Sequence, residues 1–174
     1  EACAGYSNPG NHELNMVFSF HHLKVDYEDG EKWTSTPFDL AALKRVLNEW
    51  AVGMQEGDGW NALFWNNHDQ PRAINRFGDP GRYRVESATM LRGTPFVYMG
   101  EEIGMTDPDY ETISDYVDVE AHNAFASLME TGRSEREAFA IVHGKARDNA
   151  RTPMQWDSGR TAGFTNGTPW LRST

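Results

Sequence analysis

Three short apolar runs, at residues 16–20, 60–65 and 96–99, separated by two longer spans, constrain this chain more than any other feature. Each run is too short for a stable helix and carries aromatic or β-branched side chains, among them Val17, Phe18, Trp60, Phe64, Trp65, Phe96 and Val97, so each reads as a buried strand. A helical pattern fills each intervening span. Strand, helix, strand, helix, strand with crossovers of this length predicts parallel strands joined by right-handed βαβ connections. At 174 residues the chain suffices for one ordinary domain but falls short of a complete (β/α)₈ barrel, which takes about 250 residues.

The helical spans carry their own signals. Thr36 is a competent N-cap, Pro37 suits the first helical position and Asp39 the first turn, after which Leu40, Leu43, Leu47, Trp50 and Met54 recur at helical spacing until Gly57 and Gly59. Asp29-Gly30 marks a turn earlier in the chain. Beyond Arg72, a loop with Asp79-Pro80-Gly81 should lead to a helical segment at 83–91, ended by Gly93-Thr94-Pro95. A further helix is expected from 115 to about 131, with Val119, Phe125, Leu128 and Met129 inward and a stop at Gly132. Ser134 and Glu137 form a capping box that opens the next helix, through Phe139, Ile141, Val142 and Ala146 toward Arg147. From Asn149 onward the pattern is irregular, an ordered loop with room for one short strand. No internal repeat or low-complexity tract interrupts this order.

Composition narrows the function classes. A net charge of −10 with only 16 Lys and Arg argues against a nucleic-acid partner, which needs a clustered basic surface. A few cations can still hold an anionic ligand locally. The single Cys3 excludes an intrachain disulfide and supplies no cysteine pair for zinc, and it fits a reducing compartment. No cofactor or metal site is expected. No stretch approaches 18 apolar residues, and residues 1–15 lack a basic start and an apolar core, so neither a membrane span nor a signal peptide is read and a soluble, cytoplasmic protein is expected. The first residue is Glu1 rather than Met, which leaves room for a preceding segment.

Candidate chemistry centres on Trp65-Asn66-Asn67-His68-Asp69-Gln70-Pro71-Arg72, where an imidazole and a carboxylate follow the second strand. In parallel α/β architectures ligands bind at that end of a strand. Taken alone, the pair is equally compatible with an ordinary polar loop.

Three longer blocks go further. Phe64 through Arg72, Gly93-Thr94-Pro95 with Gly100-Glu101-Glu102-Ile103-Gly104-Met105, and Arg147-Asp148-Asn149-Ala150-Arg151-Thr152-Pro153-Met154-Gln155-Trp156-Asp157 resemble, in order, the α-amylase superfamily of glycoside hydrolases, in its branch of oligo-1,6-glucosidases and trehalose-6-phosphate hydrolases. The resemblance runs along nearly the whole chain. It implies an α/β fold that is part of a (β/α)₈ TIM barrel, with residues 1–174 as the C-terminal portion holding strands six to eight and their helices. It also implies retaining hydrolysis of an α-glucosidic bond, which takes two carboxyl groups about 5 to 5.5 Å apart and an oxocarbenium-like transition state. Asp69 matches the third carboxylate of the family, which stabilises that transition state through the sugar hydroxyls. His68 matches the hydroxyl donor beside it, and Arg151 an arginine that holds the glucose. The nucleophile and the acid/base belong after strands four and five, upstream of residue 1, and Glu1 is neither. The missing N-terminal barrel part is therefore an expected partner. The isolated chain is expected to be inactive and to associate, and a non-catalytic half-barrel is the rival reading.

Within the branch, His21-His22-Leu23-Lys24-Val25-Asp26-Tyr27 resembles the trehalose-6-phosphate hydrolases more than the oligo-1,6-glucosidases. That implies a phosphorylated disaccharide as substrate, with Lys24 or Lys32 meeting the phosphate, although by residue type alone each lysine reads first as a solvated loop charge. His21 and His22 read as structural residues at a strand end, since no third metal ligand accompanies them. Glu101 and Glu102, adjacent on extended backbone, should point to opposite faces and so not form a catalytic pair. The aromatic residues at 64, 65 and 96 read as core. Similar proteins carry about seven more residues between Leu91 and Arg92, roughly two helical turns, so the segment before Arg92 should keep its helical phase but be shorter than its strand.

Overall fold

The computed structural model describes residues 2–78 and 91–173, which fall into two compact units. The first comprises residues 2–32, 36–65 and 91–97; the second, residues 33–35, 66–78 and 98–173. The expected loop at Asp79-Pro80-Gly81 and the helical segment at 83–91, Leu91 apart, lie outside the described residues.

In the first unit, β1 (Val17–Phe18), β2 (Asn61–Leu63) and β3 (Thr94–Pro95) form a parallel sheet in the order β1-β2-β3. Val17 pairs with Asn61, Phe18 with Ala62, Ala62 with Thr94 and Leu63 with Pro95. The parallel arrangement is the one the element order predicts. Between β1 and β2 run a 3-10 turn at His21–Lys24, the turn at Asp29 (φ 51°) and Gly30 (φ 84°), and a helix. The short helix α1 (Ala2–Tyr6) precedes β1, and the crossover helix α2 covers Leu40–Glu56. Its N-cap is Asp39 and not Thr36, because the Asp39 carboxylate accepts from Ala41 N at 2.7 Å and Ala42 N at 3.2 Å. A charged acceptor facing the positive end of the helix does more there than a hydroxyl. Leu40, at the first helical position, is consequently exposed, and Leu43 and Met54 carry the buried stripe.

Leu43, Met54, Ala62, Phe64 and Trp65 are buried, each large side chain worth roughly 1.5–3 kcal/mol against exposure. The end of α2 needs glycine: a Cβ at Gly59 would stand 2.7 Å from Ala4 Cα and 2.9 Å from Met54 Sδ. The third strand departs from expectation. It pairs at Thr94–Pro95, with Phe96 N donating to Leu63 O at 2.7 Å, and not at 96–99. Gly93, at φ 154°, brings the backbone so close to β2 that a Cβ would lie 2.7 Å from Asn61 O, and the Trp60 indole donates to Thr94 Oγ1 at 2.9 Å. Pairing therefore starts two residues early, and Phe96, Val97 and Met99 are exposed instead of buried.

The second unit is helical. The five-residue helix α3 (Ala73–Phe77) occupies part of the stretch after Arg72 that composition reads as loop. Helices α4 (Val119–Glu130) and α5 (Glu135–His143) pack through Ala121, Ala124, Leu128, Ala138, Ile141 and Val142, joined by Tyr110, Tyr116, Ala146 and Leu171. Helix α4 begins later than 115, with Asp118 as its N-cap, while Asp115 closes a separate 3-10 turn at Ile113–Asp115. Its inward stripe is Ala121, Ala124, Phe125 and Leu128, so Val119 and Met129, expected inside, are exposed. Small alanines mark the face because they let α5 approach closely. The Ser134–Glu137 capping box forms as expected, with Glu137 Oε2 accepting from Ser134 N at 3.0 Å. The tail holds turns and no strand among the described residues. No described helix is long and apolar enough to cross a membrane.

Candidate active site

The loop that carries His68 and Asp69 is held by its own polar groups. Asn67 Oδ1 accepts from Asp69 N at 2.8 Å, Asn67 O accepts from Gln70 N at 3.1 Å, and Arg72 N donates to Asp107 Oδ1 at 2.7 Å. This turn leaves the His68 and Asp69 side chains facing outward and adjacent, with Nε2 and Oδ2 3.1 Å apart. Arg151 secures both residues, donating from Nε to His68 O at 2.6 Å and from Nη2 to Asp69 Oδ1 at 2.7 Å. Arg147 is the other guanidinium at this carboxylate, its Nη1 3.8 Å from Asp69 Oδ1.

Both arginines come from one 3-10 turn, Arg147–Ala150, and the residue that follows it. Between them, Asp148 and Asn149 are fully buried and anchor the turn. Asp148 Oδ2 accepts from Val117 N at 2.9 Å and Asp118 N at 2.8 Å, while Asn149 donates to His143 O at 2.6 Å and accepts from Tyr116 Oη at 3.1 Å. Such anchoring aims Arg147 and Arg151, four residues apart, at the same place.

Arg147 is gripped from its far side. Nε and Nη2 each donate to Asp118 at 2.7 Å, a fork geometry that matches a carboxylate, and Glu120 Oε2 lies 2.9 Å from Nε. The hydrogen bonds from Arg147 hold the Asp118 carboxyl below its ordinary value, against the opposing pull of burial. Reciprocally, Asp118 raises the Arg147 guanidinium further above its ordinary value. The set is thus three carboxylates, Asp69, Asp118 and Glu120, around two guanidiniums.

Behind it, Tyr98 Oη donates to Ala150 O at 3.0 Å, and burial raises its phenol. The Arg72 guanidinium is buried, donates to Met99 O and lies 5.5 Å from the Tyr98 ring centroid. Burial pushes Glu101 and Asp107 each up to about 7. Glu101 accepts from Tyr98 N and Glu102 from Gly100 N, both at 2.8 Å. Those two glutamates sit on a 3-10 turn and not on extended backbone, and each accepts from a different backbone N–H, Tyr98 for Glu101 and Gly100 for Glu102.

The remaining candidates belong to the first unit. Lys24 is exposed on the turn at His21–Lys24, and Lys32 is half-buried. His22 is buried edge-on against Phe64, and His21 packs at 5.1 Å from the Trp50 ring. Of the aromatic residues read as core, Phe64 and Trp65 are buried and Phe96 is not. Among the described residues no group of three or more His, Cys, Asp or Glu is placed to hold a metal ion. Sequence reasoning singled out His68, Asp69 and Arg151, which the structure brings together. It missed Arg147, Asp118 and Glu120, although Arg147 opens the very block that ends its argument at Arg151.

A three-stranded parallel sheet flanked by helices and a carboxylate held between two arginines and a histidine define the class: the chain matches the alpha amylase catalytic domain over residues 1–174 and belongs to that family. It is 54% identical over 176 residues to the trehalose-6-phosphate hydrolase of Bacillus subtilis (strain 168), a match that covers 97% of this chain and 31% of that protein. It is 50% identical over 174 residues to the oligo-1,6-glucosidase of Parageobacillus thermoglucosidasius, covering 95% of this chain and 31% of that one. The crystal structure of Bacillus licheniformis trehalose-6-phosphate hydrolase superposes with a TM-score of 0.93 at 51% identity, over 99% of this chain and 32% of the other. This chain therefore spans about a third of the length of the relatives it matches. The 176 aligned positions outnumber the 97% of this 174-residue chain that they cover, so the B. subtilis protein holds residues within the span that this chain lacks.

Proposed function

We propose that residues 1–174 are the C-terminal portion of the catalytic barrel, strands six to eight with their helices, of a retaining α-glucosidase that splits trehalose 6-phosphate into glucose and glucose 6-phosphate. The observation that carries this is the Asp69 carboxylate, paired with His68, held by Arg151 and faced by Arg147, on a loop tied by the Asn67 side chain. A preorganised carboxylate of this kind acts where positive charge develops on the sugar, and costs no reorganisation in the transition state. His68 donates to a sugar hydroxyl in this reading, and Arg151 holds the glucose end. The nucleophile and the acid/base fall in the two-thirds of the relatives that this chain does not span. Lys24 and Lys32 are the candidates for the substrate phosphate, in keeping with a cytoplasmic enzyme acting on a phosphorylated sugar. The identity to oligo-1,6-glucosidases keeps isomaltose-type glucosides as the second reading.

The test puts this chain in place of the matched span of the B. subtilis relative and compares the hybrid with its Asp69→Asn variant. Loss of about 10²-fold or more in kcat/KM for trehalose 6-phosphate, with an unchanged melting temperature, is the expected result. Near-parental turnover by the variant would remove Asp69 from the mechanism.

A further inference from the structure

Arg147 and Arg151 face the same carboxylate but meet it differently. Arg151 Nη2 donates to Asp69 Oδ1 at 2.7 Å, whereas Arg147 Nη1 stops 3.8 Å from that oxygen. At such a separation two opposite charges attract without a hydrogen bond between them. An arginine side chain has the torsional freedom to close a gap of this size, so the distance is set by what holds its other nitrogens. Asp118 holds them. Nε and Nη2 donate to its two oxygens at 2.7 Å each, and Glu120 Oε2 lies 2.9 Å from Nε, which leaves Nη1 turned to Asp69. The Asp118 side chain is only 5% exposed and is itself fixed. Its Oδ1 caps α4 by accepting from Glu120 N at 3.1 Å, and its own N–H donates at 2.8 Å to Oδ2 of the fully buried Asp148. Arg147 and Asp148 are neighbours in sequence, so the residue that fixes Asp118 is joined covalently to the one that Asp118 fixes.

The consequence falls on Asp69. Its Oδ1 accepts from Arg151, its Oδ2 stands 3.1 Å from His68 Nε2, and its side chain is 44% exposed and so open to a sugar. If Arg147 moved in by about 1 Å, a further charge-assisted hydrogen bond would occupy the carboxylate, and a sugar hydroxyl would have to displace it. We infer that Asp118 is a positioning residue for Asp69: by gripping Arg147 it keeps that guanidinium near the carboxylate but short of a hydrogen bond, so that the Asp69 oxygens stay available to substrate. This role rests on Asp69 acting as the stabiliser proposed above, whereas the restraint itself is a distance that needs no turnover to measure.

The experiment uses the same hybrid enzyme with Asp118→Asn and with Asp118→Ser, both of which keep a competent N-cap for α4 and lose the charge that holds Arg147. Crystal structures of the variants should show Arg147 closed onto Asp69, with an N–O distance of about 3 Å or less. On trehalose 6-phosphate, kcat should fall about tenfold or more while KM moves less than about twofold, because Asp69 counts most as positive charge develops on the sugar. Arg147→Met added to Asp118→Asn removes the intruding group and should raise kcat again by about fivefold or more, a recovery that a mere loss of packing does not give. Ser134→Ala, which breaks the cap of the neighbouring α5, should lower the melting temperature and leave kcat unchanged. Near-parental turnover by Asp69→Asn would bring down the functional reading and leave the crystallographic distance to decide on the restraint. An Arg147 that stays 3.8 Å or farther from Asp69 in both variants, a kcat equal to the parent's, or a double variant no faster than Asp118→Asn would overturn the positioning role.

Discussion

Arg151 holds Asp69 at two points, through the carboxylate itself at 2.7 Å and through the carbonyl of His68, the preceding residue, at 2.6 Å. One planar guanidinium thereby sets both the backbone and the side chain of the candidate stabiliser. Lysine keeps the charge but lacks the fork. In the hybrid with the B. subtilis relative, Arg151→Lys should lower kcat/KM by roughly 10–100-fold. Steady-state kinetics that matched the parent would show that charge alone suffices.

Asp118 supplies the next prediction. Its carboxylate, held low by Arg147, contributes stability that is present above its unfolded value of 3.8 and is lost as pH falls through the depressed folded value. Asp118→Asn removes a charged acceptor from two 2.7 Å hydrogen bonds. It should cost roughly 1.5–3 kcal/mol near neutral pH and less once the parent is acidified to that range, read from denaturant melts across pH. A pH-independent difference would argue that the loss is purely one of packing.

Glu101 behaves in the opposite sense. Burial raises it from 4.5 to about 7, so the folded state binds a proton the unfolded chain releases, and stability falls as pH rises from about 4.5 to 7. Glu101→Gln keeps an acceptor for Tyr98 N but cannot ionise. The variant should be more stable than the parent above pH 7, by about 1–3 kcal/mol, with the advantage vanishing near pH 4. A variant less stable at every pH would show that the carboxylate is needed as a charge.

Features that a few neighbouring residues decide were legible before folding. The Ser134–Glu137 capping box and the parallel order of the strands are of this kind, because both follow from local chemistry and connection length. Where two local solutions compete, tertiary context chose: Thr36 and Asp39 are both competent caps, and the backbone starts at Asp39. Apolar size points to Val119 and Met129 as the inward face of α4, whereas the close approach of α5 is made by the small side chains of Ala121 and Ala124. Asp69, His68 and Arg151 were visible because they stand in quotable blocks. Asp118 and Arg147 lie 29 residues apart and meet only because the α4–α5 hairpin returns the chain, which no local pattern announces.

The last prediction concerns specificity. Lys24 stands exposed at the end of the His21–Lys24 turn, and Lys32 is half-buried beyond the Asp29-Gly30 turn. A lysine that reads a phosphate contributes to the phosphorylated substrate and little to its unphosphorylated analogue, so specificity is a difference that one substitution reveals. In the same hybrid enzyme, Lys24→Ala or Lys32→Ala, whichever residue is responsible, should lower kcat/KM for trehalose 6-phosphate at least tenfold more than for trehalose or isomaltose, roughly one charged hydrogen bond. For the exposed Lys24 the loss should also shrink at high salt, because a compact ammonium there acts largely through a screened field. Equal losses on both substrates, at either ionic strength, would give these lysines no part in phosphate recognition.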